Sequence, residues 1–388
     1  MREISLKIRN IFKKFEDLSA IGGANILGTI ISALFWLFLA TIITTEEYGE
    51  ISYYIAIGSI ASIIALIGGN TTITVYTAKK IPIASTIFLI SIISSVISAL
   101  AILIIIQNII VSTYVISYVI FVLVTSYYLG NKQFKKYSKI FILQKILFVA
   151  LAIPLNYILG PNGVVLGLAL SFFIPSYTFF KILKEMKINF PVLRSKINFM
   201  RNSYGKDLAR VISVQIDKII IVPFFGFAIL GNYYLGLQFL SILSILPVMI
   251  FQYTLSHDAT GTPKHGLKKI IIVISIIIAI AGITIAPEIL PIFFPNFEEA
   301  IIIIQILSLA IIPRTISAMY TSEFLGTEES QIVLKGAIIS VIIQIPLILI
   351  LGTYIGINGV AIALVIAEFS SMLFYIIIKK RIKNKNIE

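Results

Sequence analysis

Long apolar runs recur along the whole chain, and short segments holding most of the charged residues separate them. Each run has about 20 residues, the length that an α-helix needs to cross the hydrocarbon core of a bilayer. Hydrophobic residues make up 58% of the chain, whereas soluble globular proteins contain roughly half. The mean hydropathy is +1.01. The sequence therefore predicts an all-α polytopic membrane protein.

The apolar runs predict twelve transmembrane helices. Numbered one to twelve, the predicted spans cover residues 19–43, 49–68, 81–106, 109–130, 140–159, 163–182, 208–227, 230–254, 269–293, 299–321, 332–353 and 358–378. With the N-terminus inside, the inner segments are 1–18, 69–80, 131–139, 183–207, 255–268, 322–331 and 379–388.

The distribution of charge tests this topology. Every Lys and Arg lies in an inner segment, or within a span at a position nearer to its inner end than to its outer end or about midway between them. The outer loops contain no basic residue and hold the acidic side chains Glu46, Glu47 and Glu298, while Glu50, Glu288 and Glu299 lie within spans near their outer ends. Positive residues stay on the cytoplasmic side of membrane proteins. We therefore expect a multi-pass protein of the cell membrane with both termini in the cytoplasm. The net charge of +13 then follows from topology and does not indicate nucleic-acid binding.

Three cytoplasmic segments flank or join the spans. Residues 1–18 place apolar side chains on one helical face and basic ones elsewhere, which predicts an amphipathic helix on the membrane surface. A cleaved signal peptide is disfavoured, because the apolar stretch that follows is too long and more spans come after it. Residues 183–207 form a basic linker, and residues 379–388 form a basic tail.

Two short internal repeats divide the spans into two halves. Tyr157-Ile-Leu-Gly-Pro-Asn-Gly-Val164 enters span six, and Tyr354-Ile-Gly-Ile-Asn-Gly-Val360 enters span twelve. Each follows a helix that contains a proline. The turn after span one, from Tyr48 to Tyr53, resembles the turn after span seven, from Leu230 to Tyr234. Matches at comparable offsets predict two six-helix bundles of the same orientation, at 19–182 and 208–378.

Several motifs, in this order and spacing, resemble the oligosaccharide and polysaccharide flippase branch of the multidrug/oligosaccharidyl-lipid/polysaccharide (MOP) exporter superfamily. They are Tyr48-Gly49-x-x-Ser52-Tyr53, Gln215-x-Asp217-Lys218, Gly231-Asn232-Tyr233-Tyr234, Phe294-Pro295-Asn296-Phe297-Glu298-Glu299-Ala300 and Tyr354-x-Gly356-Ile357-Asn358-Gly359-Val360-Ala361. The resemblance implies the MATE-like fold of that superfamily, with two bundles around a central cavity that opens alternately to each side. It also implies a substrate, a polyprenyl- or dolichyl-(di)phosphate-linked glycan carried to the outer leaflet, and a functional link to glycosyltransferases.

Charged residues inside spans are the first candidates for substrate binding, because such residues normally face a bundle interior. For a lipid-linked phosphate we assign contacts to Arg314 and Lys218, and the inner gate to Arg210. Asp217 and Glu368 either couple transport to H⁺ or Na⁺ or only balance those cations. Asp217 and Lys218 differ by about 100° around the helix, so we expect them not to pair directly. Lys218 reaching to the inner interface is a further alternative.

Neutral polar side chains in the spans are candidates for sugar contacts: Asn25, Gln215, Gln238 and Gln305. Helix packing is an equally simple role for Asn25, which lies among small residues, and helix–helix hydrogen bonds would also explain the glutamines. Tyr233 and Tyr234 lie near a span end, where an aromatic belt is the default interpretation.

Other functions are weighed against this one. A cation-coupled multidrug antiporter of the MATE type is the main alternative, and it would favour acidic residues in the cavity without accompanying cations. A membrane enzyme of glycan assembly would need a large catalytic loop, and no catalytic motif or such loop is present. The related peptidoglycan-precursor flippases generally have fourteen spans, so the twelve predicted here disfavour that subfamily.

We expect a monomer that has membrane lipids as neighbours and uses no cofactor or metal. Cys is absent, so disulfides and thiolate metal sites are excluded.

Overall fold

A computed structural model describes the backbone of residues 2–185, 188–245, 265–327 and 329–385, and the side chains of 22–184, 188–245, 270–325, 327, 329 and 331–382. This part of the chain is helical and contains no strand. Its helices are α1 Arg2–Ile42, α2 Thr45–Leu66, α3 Gly69–Ala78, α4 Ala84–Ile106, α5 Ile109–Gly130, α6 Phe134–Leu159, α7 Pro161–Phe172, α8 Ser176–Glu185, α9 Phe190–Ser195, α10 Ile197–Leu243, α11 His265–Phe293, α12 Ala300–Ser308, α13 Ile311–Gly326, α14 Ser330–Ile355 and α15 Ile357–Lys385.

The all-α polytopic architecture is confirmed in the described residues. Ten helices there are long and apolar enough to cross a membrane, and the number is eleven if the bent pair α7 and α8 is counted as one span. The stretch Ala300–Leu325, which contains α12 and most of α13, counts as one of the ten. The predicted twelve spans are compatible with this number, because α10 covers two of them. The predicted amphipathic face of 1–18 and part of span eight lie outside the described side chains.

Helix α10 is a hairpin of two helical segments. It has 47 residues and contains one residue with non-helical dihedral angles, Gly226, at φ 84° and ψ 175°. Asp217 and Tyr233 would lie about 24 Å apart in a continuous helix, yet the Tyr233 hydroxyl donates to Asp217 Oδ2 at 3.0 Å. The chain therefore turns back at Gly226. The two segments correspond to predicted spans seven and eight.

We expect Gly226→Ala to destabilise the protein. The dihedral angles of Gly226 fall in a region that only glycine adopts readily, and other residues there cost about 1–3 kcal/mol. Gly205→Ala is the matched control, because Gly205 lies in the same helix and a β-carbon there meets no atom within 4 Å. Thermal unfolding in detergent should show a lower midpoint for Gly226→Ala and an unchanged or higher one for Gly205→Ala. Equal midpoints for the two variants would contradict this account of the turn.

The repeat that enters spans six and twelve is confirmed in its backbone geometry. Gly160 has φ 59° and ψ −143°, and Gly356 has φ 66° and ψ −143°. A β-carbon at Gly163 would lie 1.9 Å from the carbonyl oxygen of Leu155, and one at Gly359 would lie 2.0 Å from that of Leu351. The paired helices α6 and α14 also contain a proline each, Pro154 and Pro346. Equivalent residues thus make the same close turn in each half.

The described chain separates into two compact units. Unit 1 comprises residues 1–36 and 54–212, and unit 2 comprises residues 37–53 and 213–388. These bounds differ from the proposed bundles in two places. The stretch 37–53, from the first two spans, belongs to unit 2, and the basic linker belongs to unit 1.

The linker is an integral part of unit 1. It contains α9 and the first turns of α10, and its side chains Leu193 and Met200 are 6% and 3% exposed. Phe199 packs edge-on against Tyr76 of α3 with ring centroids 5.2 Å apart. Both buried residues join the apolar core formed with α3, α4 and α5. Alternating apolar and basic residues therefore produce a packed element here.

In unit 2, three of the motifs that resemble the exporter superfamily meet. The Tyr48 ring is fully buried and lies 5.1 Å from that of Tyr234 and 5.5 Å from that of Phe297. A β-carbon at Gly49 would lie 1.9 Å from the Phe227 carbonyl oxygen, and one at Gly231 would lie 1.8 Å from the Thr45 carbonyl oxygen. We call this region the Tyr48 contact. Its two glycines allow the backbones to approach closely.

Candidate functional site

The charges in α10 form a buried pair. Lys218 Nζ lies 3.4 Å from Asp217 Oδ1, and the side chains are 8% and 5% exposed. The same ammonium donates to the carbonyl oxygen of Val214 at 2.6 Å. The prediction that these neighbours cannot pair directly is wrong, because the long lysine side chain folds back along its own helix. The ammonium bonds there within one turn, so Lys218 does not reach to an interface.

Tyr233 completes the environment of Asp217. Its side chain is fully buried, and its hydroxyl donates to Asp217 Oδ2 at 3.0 Å. Both carboxylate oxygens are therefore bonded, one to the ammonium and one to the phenol. Sequence reasoning missed this residue by assigning it to an aromatic belt. Its place in a motif with Gly231 and Asn232 was the available signal, since a turn at Gly226 returns that motif to the depth of Asp217.

A second ion pair joins α13 to α15. Arg314 Nε donates to Glu368 Oε1 at 2.8 Å, and the side chains are 29% and 23% exposed. Arg314 Nη1 also donates to Ser244 Oγ at 3.4 Å. A guanidinium has five N–H groups, so most of those on Arg314 carry no described hydrogen bond. This pair is the more accessible of the two.

The two pairs are electrostatically connected. Tyr233, which bonds Asp217, also interacts electrostatically with Arg314 and Glu368. We call these five residues the charged cluster: Asp217, Lys218, Tyr233, Arg314 and Glu368. It has two cations and two carboxylates, so it is neutral as a whole when both acids are ionised. Charges in a membrane domain are stable when paired in this way.

Arg210 belongs to unit 1, whereas the residues of the charged cluster belong to unit 2. Its side chain is exposed, and it interacts electrostatically with Asp207 and Tyr118. Asp207 in turn is hydrogen-bonded to Asn70. Sequence reasoning did not identify Asp207 or Asn70, which come together because the start of α10 packs on Gly68 and the first turn of α3.

The predicted sugar contacts have varied surroundings. Asn25 is exposed and accepts a hydrogen bond from the Tyr137 hydroxyl at 3.3 Å in unit 1. In unit 2, Gln305 Nε2 donates to the Ile283 carbonyl oxygen at 2.9 Å, and Gln238 bonds Tyr234. Gln305 therefore makes the helix–helix bond that was the alternative to sugar binding. Gln215 is half-buried and has no hydrogen bond among those described.

The described side chains contain no group of three or more His, Asp or Glu residues that could hold a metal ion. The acids of the charged cluster are each bonded to a cation of the protein.

Comparisons with known proteins identify the fold. No protein-family profile matches the sequence, and no curated protein is similar enough in sequence to match. Solved structures do match over nearly the whole chain. An inward-facing multidrug resistance MATE family transporter of the MOP superfamily has a TM-score of 0.66 at 15% identity, covering 92% of this chain and 95% of that one. The lipid II flippase MurJ in an inward closed conformation has a TM-score of 0.63 at 16% identity, covering 94% and 87%.

A further match is a MATE structure in a bent conformation, with a TM-score of 0.58 at 15% identity, covering 95% and 96%. Identities this low show the fold and leave the substrate to be argued from the residues. Similarity over nearly the full length includes both units and most of their helices. The chain thus has the fold shared by the MATE transporters and the lipid II flippase of the MOP superfamily.

Proposed function

We propose that this protein is a flippase. It moves a polyprenyl- or dolichyl-(di)phosphate-linked oligosaccharide from the cytoplasmic to the outer leaflet by alternating access, for the assembly of a cell-surface polysaccharide or glycan. The fold and the sequence motifs support a transporter of this kind. The observation that carries the choice of substrate is the accessible Arg314 guanidinium, which Glu368 orients through Nε.

An oriented guanidinium suits a phosphate. Arg presents its N–H groups in a planar fork that matches phosphate oxygens. Glu368 and Ser244 use only the Nε and Nη1 sides of this fork in the described structure. The remaining donors stay available for a substrate oxygen. The pair also neutralises the cation between substrates, which lowers the cost of keeping it within the membrane.

The buried pair has a different role in this proposal. Lys218 is nearly inaccessible and already bonded, so it stabilises unit 2 and the substrate phosphate binds at Arg314. Asp217 is bonded on both oxygens, which disfavours it as a free acceptor for a cationic drug. A MATE-type multidrug antiporter is therefore the less favoured candidate. Glu368 is the better candidate for H⁺ coupling, because protonating it would release Arg314 to the phosphate.

We expect Arg314→Gln with Glu368→Gln to lower the rate of glycan flipping by at least about tenfold, since a hydrogen bond to a charged group contributes about 1.5–3 kcal/mol. Removing both charges together avoids leaving one uncompensated in the membrane. The assay uses purified protein in liposomes that contain a fluorescent polyprenyl-diphosphate oligosaccharide, with flipping followed by accessibility to a sugar-modifying enzyme outside.

A matched control exists between the same two helices. Glu323 of α13 pairs with Lys379 of α15, so Glu323→Gln with Lys379→Gln removes another ion pair of similar exposure from between these helices. This control should flip at the wild-type rate. If both double variants lose activity equally, the effect is one of helix packing and the phosphate contact is rejected. If the wild-type protein transports cationic dyes and ignores the glycan lipid, the antiporter alternative replaces the flippase.

A further inference from the structure

Unit 1 contains a cavity of about 570 Å³. Its wall comes from the end of α3, the start of α4, the end of α5 and the residues before α9. The lining residues are Thr77, Lys80, Ile81, Pro82, Ala84, Tyr127, Asn131, Ile188 and Asn189. The cavity thus combines one cation, two amides and two hydroxyls with an apolar wall, the composition that small-molecule sites show.

The wall of the cavity is fixed by hydrogen bonds and close packing. The Asn189 backbone N–H donates to Thr86 Oγ1 at 2.8 Å and so attaches the residues before α9 to α4. The N–H of Lys80 donates to the Thr77 carbonyl oxygen at 2.9 Å. A β-carbon at Gly130 would lie 2.8 Å from both Thr74 O and Thr77 Cβ, so α5 and α3 approach closely. The cavity is therefore formed before any ligand arrives.

The polar groups favour an anion. The side chain of Lys80 is exposed and has no ion pair among those described. The Asn189 amide oxygen accepts the N–H of Val192, and its amide nitrogen has no described partner. Ala84, which begins α4, lines the cavity, and Ile83 before it supplies no side-chain cap. The first N–H groups of a helix lack intrahelical acceptors and carry a positive partial charge.

The surrounding charge has the same sign. Segments 69–80 and 131–139 contain six lysines and no acidic residue: Lys79, Lys80, Lys132, Lys135, Lys136 and Lys139. The cavity adjoins the first turn of α4 and the last turn of α5, both candidate membrane spans, so we place it at the level of the lipid headgroups. Ile188 is 48% exposed beside it, which provides an apolar approach for the top of an acyl chain.

We propose that this cavity binds the phosphate headgroup of an anionic phospholipid of the surrounding membrane, with Lys80 as the main contact. Basic pockets at the cytoplasmic ends of transmembrane helices have the chemistry for such headgroups. The bound lipid connects α3, α4, α5 and the linker before α9. This site is separate from the glycan-transport proposal and does not depend on it.

The test is native mass spectrometry of delipidated protein titrated with phosphatidylglycerol or zwitterionic phosphatidylcholine. The wild-type protein should prefer phosphatidylglycerol, and Lys80→Gln should weaken that binding about tenfold. Lys80→Arg should retain it. Lys132→Gln is the matched control, because Lys132 is exposed, has the same φ of 57° as Lys80 and does not line the cavity. The affinity of this variant for phosphatidylglycerol should lie within about twofold of that of the wild type, because the variant loses only a surface charge.

Equal loss of binding in Lys80→Gln and Lys132→Gln would reject the cavity in favour of a general surface attraction. Unchanged binding in Lys80→Gln would also reject it. Millimolar inorganic phosphate serves as a competitor: if it displaces phosphatidylglycerol from the wild-type protein, the occupant is a soluble phosphate and the lipid assignment is wrong. The unfolding midpoint of lipid-free Lys80→Gln should equal that of the wild type, because the exposed side chain has no described ion pair to lose.

Discussion

Replacing Lys218 by methionine alone is expected to destabilise the protein by about 3–5 kcal/mol, because it leaves the Asp217 carboxylate buried without its cation. The side chains of Lys218 and Asp217 are 8% and 5% exposed, so water cannot readily replace the lost partner. Tyr233 still donates one hydrogen bond to the carboxylate, but a neutral phenol does not compensate a charge. The thermal unfolding midpoint of the purified variant in detergent should fall clearly, and less protein should be recovered from the membrane.

The control removes both charges at once. In Asp217→Asn with Lys218→Met, Tyr233 retains an acceptor and no charge is stranded, so the stability should return to within about 1–2 kcal/mol of the wild type. A double-mutant cycle over these variants gives the coupling between the two residues. If the double variant were stable but unable to flip glycan lipids, the assignment of Lys218 to stability alone would be wrong. If Lys218→Met were as stable as the wild type, the pair itself would be rejected.

The second large effect is expected at the Tyr48 contact. Gly231→Ala would place a β-carbon 1.8 Å from the Thr45 carbonyl oxygen, and this neighbour is backbone, which cannot rotate away. The segment that contains Thr45 and the segment that contains Gly231 must therefore separate. Overpacking in cores costs about 1–3 kcal/mol and occasionally more, and we expect the upper end here. Separation should also expose the Tyr48 ring, so the unfolding midpoint should fall and an engineered cysteine beside Tyr48 should react faster with a polar maleimide.

Gly49 provides the internal check, because it belongs to the same contact. A β-carbon there would meet the Phe227 carbonyl oxygen at 1.9 Å and the Gly231 nitrogen at 2.9 Å. Once one alanine has separated the segments, the second should cost little, so Gly49→Ala and Gly231→Ala should be strongly non-additive. Gly23→Ala, where no atom lies within 4 Å of a β-carbon, should leave stability unchanged or raise it slightly. Additive losses at Gly49 and Gly231 would show that the two glycines act independently.

Much of the fold was predictable because the bilayer restricts the choice of structure. Each apolar run of sufficient length must satisfy its backbone within a helix, so the all-α polytopic architecture follows from hydropathy, whereas several helices begin well before the predicted spans, as α6 does at Phe134. The repeat was also predictable from the sequence. Gly160 and Gly356 have almost the same backbone angles, and two turns of the same geometry require glycine at the same positions.

The candidate site was only half predictable. Charge inside an apolar run drew attention to Asp217, Lys218, Arg314 and Glu368, because burial of charge in a membrane is costly whatever the detailed structure. The choice of pairing partners among these four residues depends on side-chain length and on helix packing. Angular spacing on an ideal helix excluded the Asp217–Lys218 pair, yet the flexible lysine folds back and forms it.

The sequence alone determined a polytopic helical membrane protein with charged residues inside its apolar runs, because length, hydropathy and charge suffice for that. Only the tertiary structure decided that Tyr233 bonds Asp217, that Arg314 remains accessible beside Glu368, and that residues 37–53 belong with unit 2. These facts depend on the turn at Gly226 and on contacts between residues far apart in the chain. Local periodicity carries no information about such contacts, since it describes each helix separately from its neighbours.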